Sequence, residues 1–440
     1  MIDAKHVHET LARHQLADGY PIVMDLAKSH GAWLHDARTG EEYLDFFTCF
    51  ASWPLGYNHP RFADGKYRED LVRAALTKTA NSDIYTVEMA EFVELFATKA
   101  TPQGYPYNFW ISGGSLAVEN ALKAAFDWKA RKIGLDKLKN DGADLVAMHF
   151  RHAFHGRSGY TMSLTNTDPT KTMLFPKFCW PRVHNPAIEV DLAGKIVNDI
   201  EAEERKALAD IDKGFEQFAG RIACIIIEPM QGEGGDNHFR SEFLAKLRKI
   251  CDEREALLVF DEVQTGFWGS GKPWLWQLKG VAPDIVAFGK KSQVCGIYSN
   301  KRIDEVKDNV FHLPSRINST WGGNLVDMVR CRKFIEIIAE DDLGAHITRI
   351  GQKMIEGLRS IARDKGSISN IRGHGSLIAL TLETTAARKK MLGDLMAKRV
   401  MALPSGERAI RFRLPLITSD KELEIALDRI EQCAPTSVTA

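Results

Sequence analysis

The segment at 257–264 is Leu-Leu-Val-Phe-Asp-Glu-Val-Gln, and the segment at 283–291 is Pro-Asp-Ile-Val-Ala-Phe-Gly-Lys-Lys. Each contains a short apolar run without alternating polar residues, which indicates a strand buried on both faces. Strands of this kind occur in parallel sheets, where ligands bind at the carboxyl ends of the strands. Asp261 follows the first run and two lysines follow the second, so we expect these side chains to meet at one edge of the sheet.

The same pattern extends through residues 110–300. Short apolar runs alternate there with longer stretches of helical periodicity, which is typical of repeated βα units. The pattern predicts an α/β fold in which helices flank a mainly parallel sheet. The predicted strands are 145–150, 222–228, 256–263 and 285–288, and the predicted helices are 115–132 and 241–254.

The two ends of the chain have a different character. Arg38-Thr-Gly40 interrupts two strand-like runs within residues 33–46, which predicts a hairpin. Beyond residue 324 we predict helices at 325–339, 347–363 and 421–431 and strands at 377–382 and 410–414. The predicted parts are an N-terminal segment (1–60), a large domain (61–324) and a smaller α+β domain (325–440) that the N-terminal segment joins.

The composition excludes several classes of protein. The 440 residues carry 58 basic and 58 acidic side chains, and this zero net charge argues against binding to nucleic acid or to an anionic membrane. The seven cysteines are scattered without a CxxC spacing, so neither a zinc site nor a disulfide framework is indicated. The sequence shows no signal-peptide pattern and no apolar run near the roughly 20 residues of a membrane span. We expect a cytoplasmic enzyme that acts on small molecules and holds no metal.

A glycine-rich segment suggests a competing function. Residues 266–272, Gly-Phe-Trp-Gly-Ser-Gly-Lys, have the glycine and lysine spacing of a P-loop. A P-loop needs a Ser or Thr next, to bind Mg²⁺, and it opens a helix, whereas the next residue here is Pro273. An ATPase or kinase is therefore the weaker hypothesis, and a glycine-rich turn is the interpretation we favour.

Asp261 and the lysines have the chemistry that pyridoxal phosphate (PLP) requires. A lysine binds this cofactor as a Schiff base, and a carboxylate keeps its pyridine nitrogen protonated. Val263 would lie on the same side of the strand as Asp261 and offer an apolar surface to a flat ring. On these residues alone, a buried ion pair explains the pattern equally well.

A phosphate-binding element strengthens the cofactor hypothesis. The run Ser112-Gly-Gly-Ser115 follows a strand-like segment at 108–111 and opens a predicted helix. Backbone N–H groups and the helix dipole therefore point at one place, where a phosphate would bind. The alternative is that Ser115 only caps the helix, and both interpretations can hold at once.

Ordered motifs along most of the chain resemble those of the class III PLP-dependent aminotransferases. The resemblance implies the type I fold of PLP-dependent transferases, aminotransferase activity and PLP as cofactor. The motifs are Asp261-Glu-Val-Gln-Thr-Gly-Phe267, Tyr43-Leu-Asp45, Leu55-Gly-Tyr-Asn-His-Pro60, Phe154-His-Gly-Arg157, Glu228-Pro-Met-Gln-Gly-Glu-Gly-Gly235, Arg372-Gly-His-Gly375 and Arg411-Phe-Arg-Leu-Pro415.

The resemblance also assigns roles around the cofactor. The family spacing, a lysine, three residues and then Gly-Gly, selects Lys291 as the Schiff-base lysine and leaves Lys290 as a structural or surface residue, although Cys295 replaces the first glycine. The other implied contacts are Asp261 at the pyridine nitrogen, Val263 and Phe154 on the two ring faces, Gln264 at the ring hydroxyl, Glu228 behind Gln264, and Gly114 and Ser115 at the phosphate.

One implied contact comes from a second subunit. Thr320 resembles the residue that completes the phosphate site of the partner, which implies a homodimer with two shared active sites. The alternative is that Thr320 caps the helix that follows it.

Segments 117–128, 154–160 and 318–324 resemble the members of the family that act on the ε-amino group of lysine more than those that act on ornithine or 4-aminobutyrate. The implied substrates are L-lysine and 2-oxoglutarate, and two carboxylate-binding arginines are needed to hold them in one site. The implied substrate contacts are Arg157, Arg411, Gln264, Asn318 and Glu233, the last pairing with Arg411 while lysine is bound. Arg413 is the rival of Arg411, and ordinary surface salt bridges are the alternative for the charged residues.

Other functions remain compatible with the sequence. The chain has the motifs of a family that also includes ornithine and 4-aminobutyrate aminotransferases. A catalytically silent binding protein on the same fold is disfavoured because every expected catalytic position is filled.

Overall fold

The computed structural model describes residues 2–436. Its strands are β1 Trp33–His35, β2 Glu42–Asp45, β3 Tyr107–Ile111, β4 Val146–Phe150, β5 Arg182–Val183, β6 Ile222–Ile227, β7 Met230–Gln231, β8 Asn237–His238, β9 Leu257–Asp261, β10 Ile285–Phe288, β11 Cys295–Ser299, β12 Ile368–His374, β13 Leu377–Leu382, β14 Val400–Met401, β15 Leu403–Ser405 and β16 Ala409–Arg413.

The helices alternate with these strands through most of the chain. They are α1 Val7–Ala12, α2 Thr48–Ala51, α3 Gly65–Leu76, α4 Val87–Lys99, α5 Gly114–Ile133, α6 Gly159–Leu164, α7 Ile200–Gln217, α8 Ser241–Glu253, α9 Leu275–Lys279, α10 Leu325–Glu340, α11 Leu343–Lys365, α12 Thr385–Ala397 and α13 Asp420–Cys433. The short element α2 is a left-handed turn, since the φ angles of its residues lie between 46° and 66°.

Seven strands form the central sheet in the order β3-β11-β10-β9-β6-β4-β5. All run parallel except β11, which pairs antiparallel with both β3 and β10. Alternate residues of β9 pack on opposite faces of the sheet: Val259 belongs to the core beneath α5, and Phe260 to the core that includes α8. Because both faces are covered, these strands lack polar alternation, and the predicted mainly parallel sheet flanked by helices is confirmed.

Strand β9 ends two residues earlier than predicted. The side chain of Asp261 turns back, and its Oδ1 accepts a hydrogen bond from the backbone N–H of Val263 at 3.0 Å. Such a local side-chain turn competes with sheet pairing. The chain therefore leaves the sheet at Asp261 and carries the next residues across its carboxyl edge.

The two ends of the chain meet in a small three-stranded sheet. The predicted hairpin is present, with β1 antiparallel to β2, and β2 pairs in parallel with β14, where Leu44 faces Val400. A separate four-stranded antiparallel sheet, β12-β13-β16-β15, packs against α11 and α12. The N-terminal strands thus join the C-terminal part, while the boundaries at residues 60 and 324 stay predictions.

No helix within residues 2–436 combines the length and the apolar character that crossing a membrane requires.

Asp284 should be critical for the stability of the central sheet. Its buried Oδ2 accepts hydrogen bonds from Leu258 N (2.7 Å), Arg248 Nη1 (2.8 Å) and Arg302 Nη1 (3.1 Å). Asp284→Ala leaves two guanidinium groups without their buried counter-charge, so we expect a loss of about 3–5 kcal/mol in the free energy of unfolding. Chemical denaturation measures it. Asp394→Ala, which breaks an exposed pair with Lys390, is the control and should leave the denaturation midpoint in place.

Candidate active site

A cavity of about 320 Å³ lies at the carboxyl edge of the central sheet, where β6, β9 and β10 end and α5 begins. This is the edge at which the sequence predicted a ligand site. Its walls contain nine of the predicted site residues: Gly114, Ser115, Phe154, Arg157, Glu228, Glu233, Asp261, Val263 and Gln264. His155, Gly156 and Lys290 complete the lining.

The two adjacent lysines point in different directions, and the one that faces the cavity is Lys290. The Lys291 ammonium is instead turned behind the cavity wall, where it donates to the backbone carbonyls of Gln264 and Gly266. This placement contradicts the assignment of Lys291 as the Schiff-base lysine, and we reassign that role to Lys290.

The physical reason for the error is the backbone after β10. Lys290 has a left-handed φ of 54° and opens a 3-10 turn, Lys290–Ser292, so the alternation of a strand does not govern the direction of its side chain. Cys295, which upset the family spacing, lies in β11 with its Sγ packed against Gly289, where a Cβ would come within 2.7 Å of it. Counting back from Cys295 and Gly296 selects Lys291, whereas the lysine that lines the cavity is Lys290.

Burial activates the Lys290 amine. Burial of the side chain, followed by the charge of the neighbouring Arg411 guanidinium, lowers the pKa of Lys290 to about 8, against the opposing effect of Asp261. A neutral amine is the form that attacks an aldehyde. The neutral form of this lysine is therefore far more populated near neutral pH than that of an exposed lysine.

Asp261 lies at the floor of the cavity and is 5% exposed. Its Oδ2 is 2.7 Å from Nδ1 of His155, which is also buried. Glu228 lies nearby, and burial followed by the charge of Asp261 raises the pKa of Glu228 to about 7, while His155 opposes this. His155 was not predicted as a site residue, although it follows Phe154 in a motif of the family. Its position in the sequence does not reveal that its side chain meets Asp261.

The N-terminus of α5 forms an anion-binding corner. The helix begins at Gly114 after Gly113, which has a φ of 102°, and no side chain caps it. Ser115 bonds instead to the hydroxyls of Ser158 (2.5 Å) and Thr161 (2.8 Å), so the interpretation of Ser115 as a simple helix cap is wrong. Free N–H groups at the start of a 20-residue helix suit a phosphate.

Two arginines on β16 are buried side by side next to the cavity. Arg413 Nη2 is 2.6 Å from Asp236 Oδ1, and both side chains are 1% exposed. This ion pair occupies Arg413, the rival carboxylate reader, and its acid Asp236 was missed because the sequence places it far from β16. Arg411 donates to Gln264 Oε1 at 3.1 Å, and within residues 2–436 no carboxylate forms an ion pair with it. Burial and the neighbouring Arg413 lower the pKa of Arg411 to about 10.

Arg157 and Glu233 lie on the other side of the cavity. Arg157 is exposed at the opening, as a residue that meets incoming substrate would be. The Glu233 carboxylate accepts a hydrogen bond from Thr167 Oγ1 at 2.9 Å and forms an ion pair with Lys171. The predicted pair between Glu233 and Arg411 is therefore not formed in this structure, because Lys171 and Thr167 hold the carboxylate.

Asn318 and Thr320 do not line the cavity. Both are exposed on a surface loop that is attached to the segment before α4 by a hydrogen bond from Ser82 Oγ to Ser319 O (2.8 Å). The N-cap of the following helix is Asn324, so the interpretation of Thr320 as that cap is wrong. Their predicted contribution to a partner's site stays a prediction.

The residues in the cavity fit PLP. A lysine with a lowered pKa, a buried carboxylate and an uncapped helix N-terminus match the aldehyde, the pyridine nitrogen and the phosphate of that cofactor. Val263 and Phe154 supply apolar surface between these polar groups. A Cβ at Gly114 would come within 2.6 Å of Val263 Cγ1, so glycine is required where the helix meets the ring-binding residue.

Comparison with known proteins identifies the family. Residues 16–434 match the family model described as aminotransferase class-III. The chain belongs to the class III aminotransferases. L-lysine-epsilon aminotransferase of Mycobacterium tuberculosis is 48% identical over 434 residues, which are 98% of this chain and 95% of that protein. L-lysine-epsilon aminotransferase of Amycolatopsis lactamdurans is 48% identical over 431 residues, which are 97% and 95% of the two chains.

Solved structures agree with this class III assignment. The lysine aminotransferase from M. tuberculosis in the internal aldimine form matches with a TM-score of 0.93 and 46% identity, covering 98% of this chain and 99% of that one. As a class III aminotransferase, the present protein uses PLP as its cofactor, in agreement with the residues that line its cavity.

The reactivity of Lys290 in this class III aminotransferase should depend on pH in a defined way. Because its neutral amine reacts and its pKa is about 8 rather than the 10.5 usual for lysine, the rate of PLP incorporation into cofactor-free enzyme should rise with pH and level off above about pH 8. Absorbance of the bound cofactor, followed over a pH series, measures this rate. Lys290→Gln should give no Schiff-base band at any pH. A rate that keeps rising towards pH 10 would contradict the role of burial.

Proposed function

We propose that this aminotransferase transfers the ε-amino group of L-lysine to 2-oxoglutarate by a ping-pong mechanism, giving 2-aminoadipate 6-semialdehyde and L-glutamate. The donor is supported by the 48% identity to proteins named L-lysine-epsilon aminotransferases over nearly the whole chain. The acceptor is supported by one observation in the site: Arg411 is buried beside Lys290 and has no acidic partner among residues 2–436. A buried guanidinium in that state favours a substrate carboxylate.

Five groups of the cavity would hold the cofactor. The N–H groups at Gly114 and Ser115 would bind the phosphate, and Asp261 would keep the pyridine nitrogen protonated. Val263 and Phe154 would pack against the ring. Gln264 would donate from its amide nitrogen to the ring hydroxyl, since its amide oxygen is already bonded to Arg411. Bound PLP supplies an aldehyde that accepts the amino group and a ring that withdraws electrons from the reacting carbon.

Lys290 performs the proton transfer in both half-reactions. Its neutral amine would take the proton from Cε of lysine and deliver it to C4′ of the cofactor. In the second half-reaction it would move a proton from C4′ to Cα of the product glutamate. His155 bonds to Asp261 at 2.7 Å and so fixes the orientation of that carboxylate. Glu228 accepts hydrogen bonds from the backbone N–H groups of Phe154 (2.9 Å) and Gly232 (3.0 Å), and holds the two sides of the cavity together.

The two arginines divide the substrates between them. Arg157 binds the α-carboxylate of lysine, which leaves the ε-amine at the cofactor, and it binds the distal carboxylate of 2-oxoglutarate. Arg411 binds the carboxylate next to the reacting carbon of 2-oxoglutarate. Glu233 turns from Lys171 to neutralise Arg411 while lysine is bound, since an unpaired Arg411 would otherwise attract the α-carboxylate to the wrong end of the site.

We further propose a homodimer with shared sites, in which Thr320 and Asn318 serve the partner's cavity. Both residues are exposed, and large apolar side chains are exposed on the neighbouring segment before and at the start of α4. These include Ile84 (65%), Tyr85 (75%) and Val87 (72%). Apolar side chains exposed to this extent on adjacent residues are typical of a surface covered by another chain.

The donor is tested with the purified enzyme and each amine alone. We expect L-lysine, added without any oxo acid, to convert the absorbance of the bound PLP Schiff base into that of the pyridoxamine form. Ornithine and 4-aminobutyrate are the comparison donors. Equal or faster conversion by either one would reject lysine as the preferred donor and leave the family assignment intact.

The division of labour between the arginines is tested by half-reactions. Arg411→Met should raise the KM for 2-oxoglutarate about 30-fold, the effect of losing about 2 kcal/mol of charge-assisted binding, and leave the lysine half-reaction little changed. Arg157→Met should weaken the binding of both substrates, because each places a carboxylate at Arg157. Single-turnover spectra with lysine and with 2-oxoglutarate separate the two cases. Equal effects of Arg411→Met on both substrates would show that the assignment is wrong.

A further inference from the structure

Lys291 is buried, with 3% of its surface exposed, yet no carboxylate within residues 2–436 forms an ion pair with its side-chain amine. It donates to two backbone carbonyls of the turn after β9, Gln264 O at 2.5 Å and Gly266 O at 3.2 Å. Gly269 closes a third side, since a Cβ there would lie 2.9 Å from Lys291 Cε. Burial, followed by the charges of Arg413 and Lys290, lowers the pKa of Lys291 well below its usual range, while Glu262 opposes this. The chain is thus folded closely around an amine that serves as a hydrogen-bond donor to this turn.

The turn that Lys291 holds carries Gln264. The Gln264 amide oxygen accepts N–H groups from both buried arginines, from Arg411 Nη1 at 3.1 Å and from Arg413 Nη2 at 2.8 Å and Nε at 3.2 Å. Gly232 packs on the same amide, and a Cβ at that glycine would lie 2.3 Å from Gln264 Oε1. The amide oxygen therefore has one allowed position, and that position fixes the guanidinium of Arg411.

We propose that Lys291 is a positioning residue for recognition of the oxo-acid carboxylate. Its side chain fixes the backbone of Gln264, and the Gln264 amide fixes the guanidinium of Arg411. Arg411 then has further N–H groups that can donate to a substrate carboxylate. The adjacent lysines thus divide two tasks: Lys290 serves the cofactor and Lys291 serves the arginine. This inference rests on the proposed use of Arg411 to bind 2-oxoglutarate.

Lys291→Met tests the proposal because methionine fills a similar volume without an N–H donor. We expect the Schiff-base band to remain and the lysine half-reaction to slow by less than about threefold. The KM for 2-oxoglutarate should rise at least about tenfold with little change in kcat, because a displaced guanidinium loses the orientation on which carboxylate binding depends. Lys291→Arg, which retains donors and charge, should recover most of the affinity.

A second variant guards against a failure to fold, which circular dichroism would reveal. Lys291→Gln keeps an uncharged donor for the turn, and its KM for 2-oxoglutarate should fall between those of the wild type and Lys291→Met. Two results would overturn the proposal: loss of the Schiff-base band in Lys291→Met, which would return the cofactor role to Lys291, or an unchanged KM for 2-oxoglutarate in a folded variant.

The half-reaction with glutamate separates this inference from the proposed function. Glutamate places its α-carboxylate at Arg411 whichever amine is the physiological donor. If the wild type converts with glutamate but not with lysine, the donor proposal fails. The effect of Lys291→Met on the glutamate concentration needed for half-maximal conversion still decides the positioning role, and we expect at least about a tenfold increase in that concentration.

Discussion

Arg411 and Arg413 are buried side by side on β16, and the arrangement of the whole site follows from how their charge is neutralised. Burying a guanidinium group without a partner is costly, and two such groups at adjacent positions also repel each other. Asp236 neutralises Arg413, whereas Arg411 has no ion-pair partner within residues 2–436 and is bonded to the neutral amide oxygen of Gln264. The proposed function supplies the missing negative charge as a substrate carboxylate.

The same constraint links parts of the fold that are distant in sequence. Gln264 lies in the turn that follows β9 of the central sheet, and Asp236 lies in the loop between β7 and β8. The two arginines belong to the four-stranded sheet. The site is therefore assembled across the junction of two sheets, and a displacement of either sheet would separate Gln264 from the arginines. The backbone N–H of Arg413 also donates to the backbone carbonyl of Phe46 at 2.7 Å, which connects the N-terminal segment to the same junction.

Much of the fold could be predicted because the apolar runs of the central strands differ plainly from the helical periodicity between them. Details that depend on backbone dihedrals could not. The left-handed φ of Lys290 reversed the roles of two adjacent lysines, and no pattern of residue types encodes it. Contacts between distant segments, such as His155 with Asp261, were equally invisible, since identity and spacing do not reveal which buried acid a histidine meets. The ion pair of Lys171 with Glu233 was equally invisible, because the two residues lie far apart in the sequence.

The parallel pairing of β2 with β14 has a consequence for how the chain is made. Leu44 can pair with Val400 only after the long segment between them has been synthesised and β14 has left the ribosome. Until then the N-terminal hairpin presents an open strand edge that can pair with other chains. Completion of the three-stranded sheet must therefore be a late event in synthesis, after the long-range loop it closes has formed. Until β14 has been made, β1 and β2 form a segment through which a newly made chain is open to aggregation.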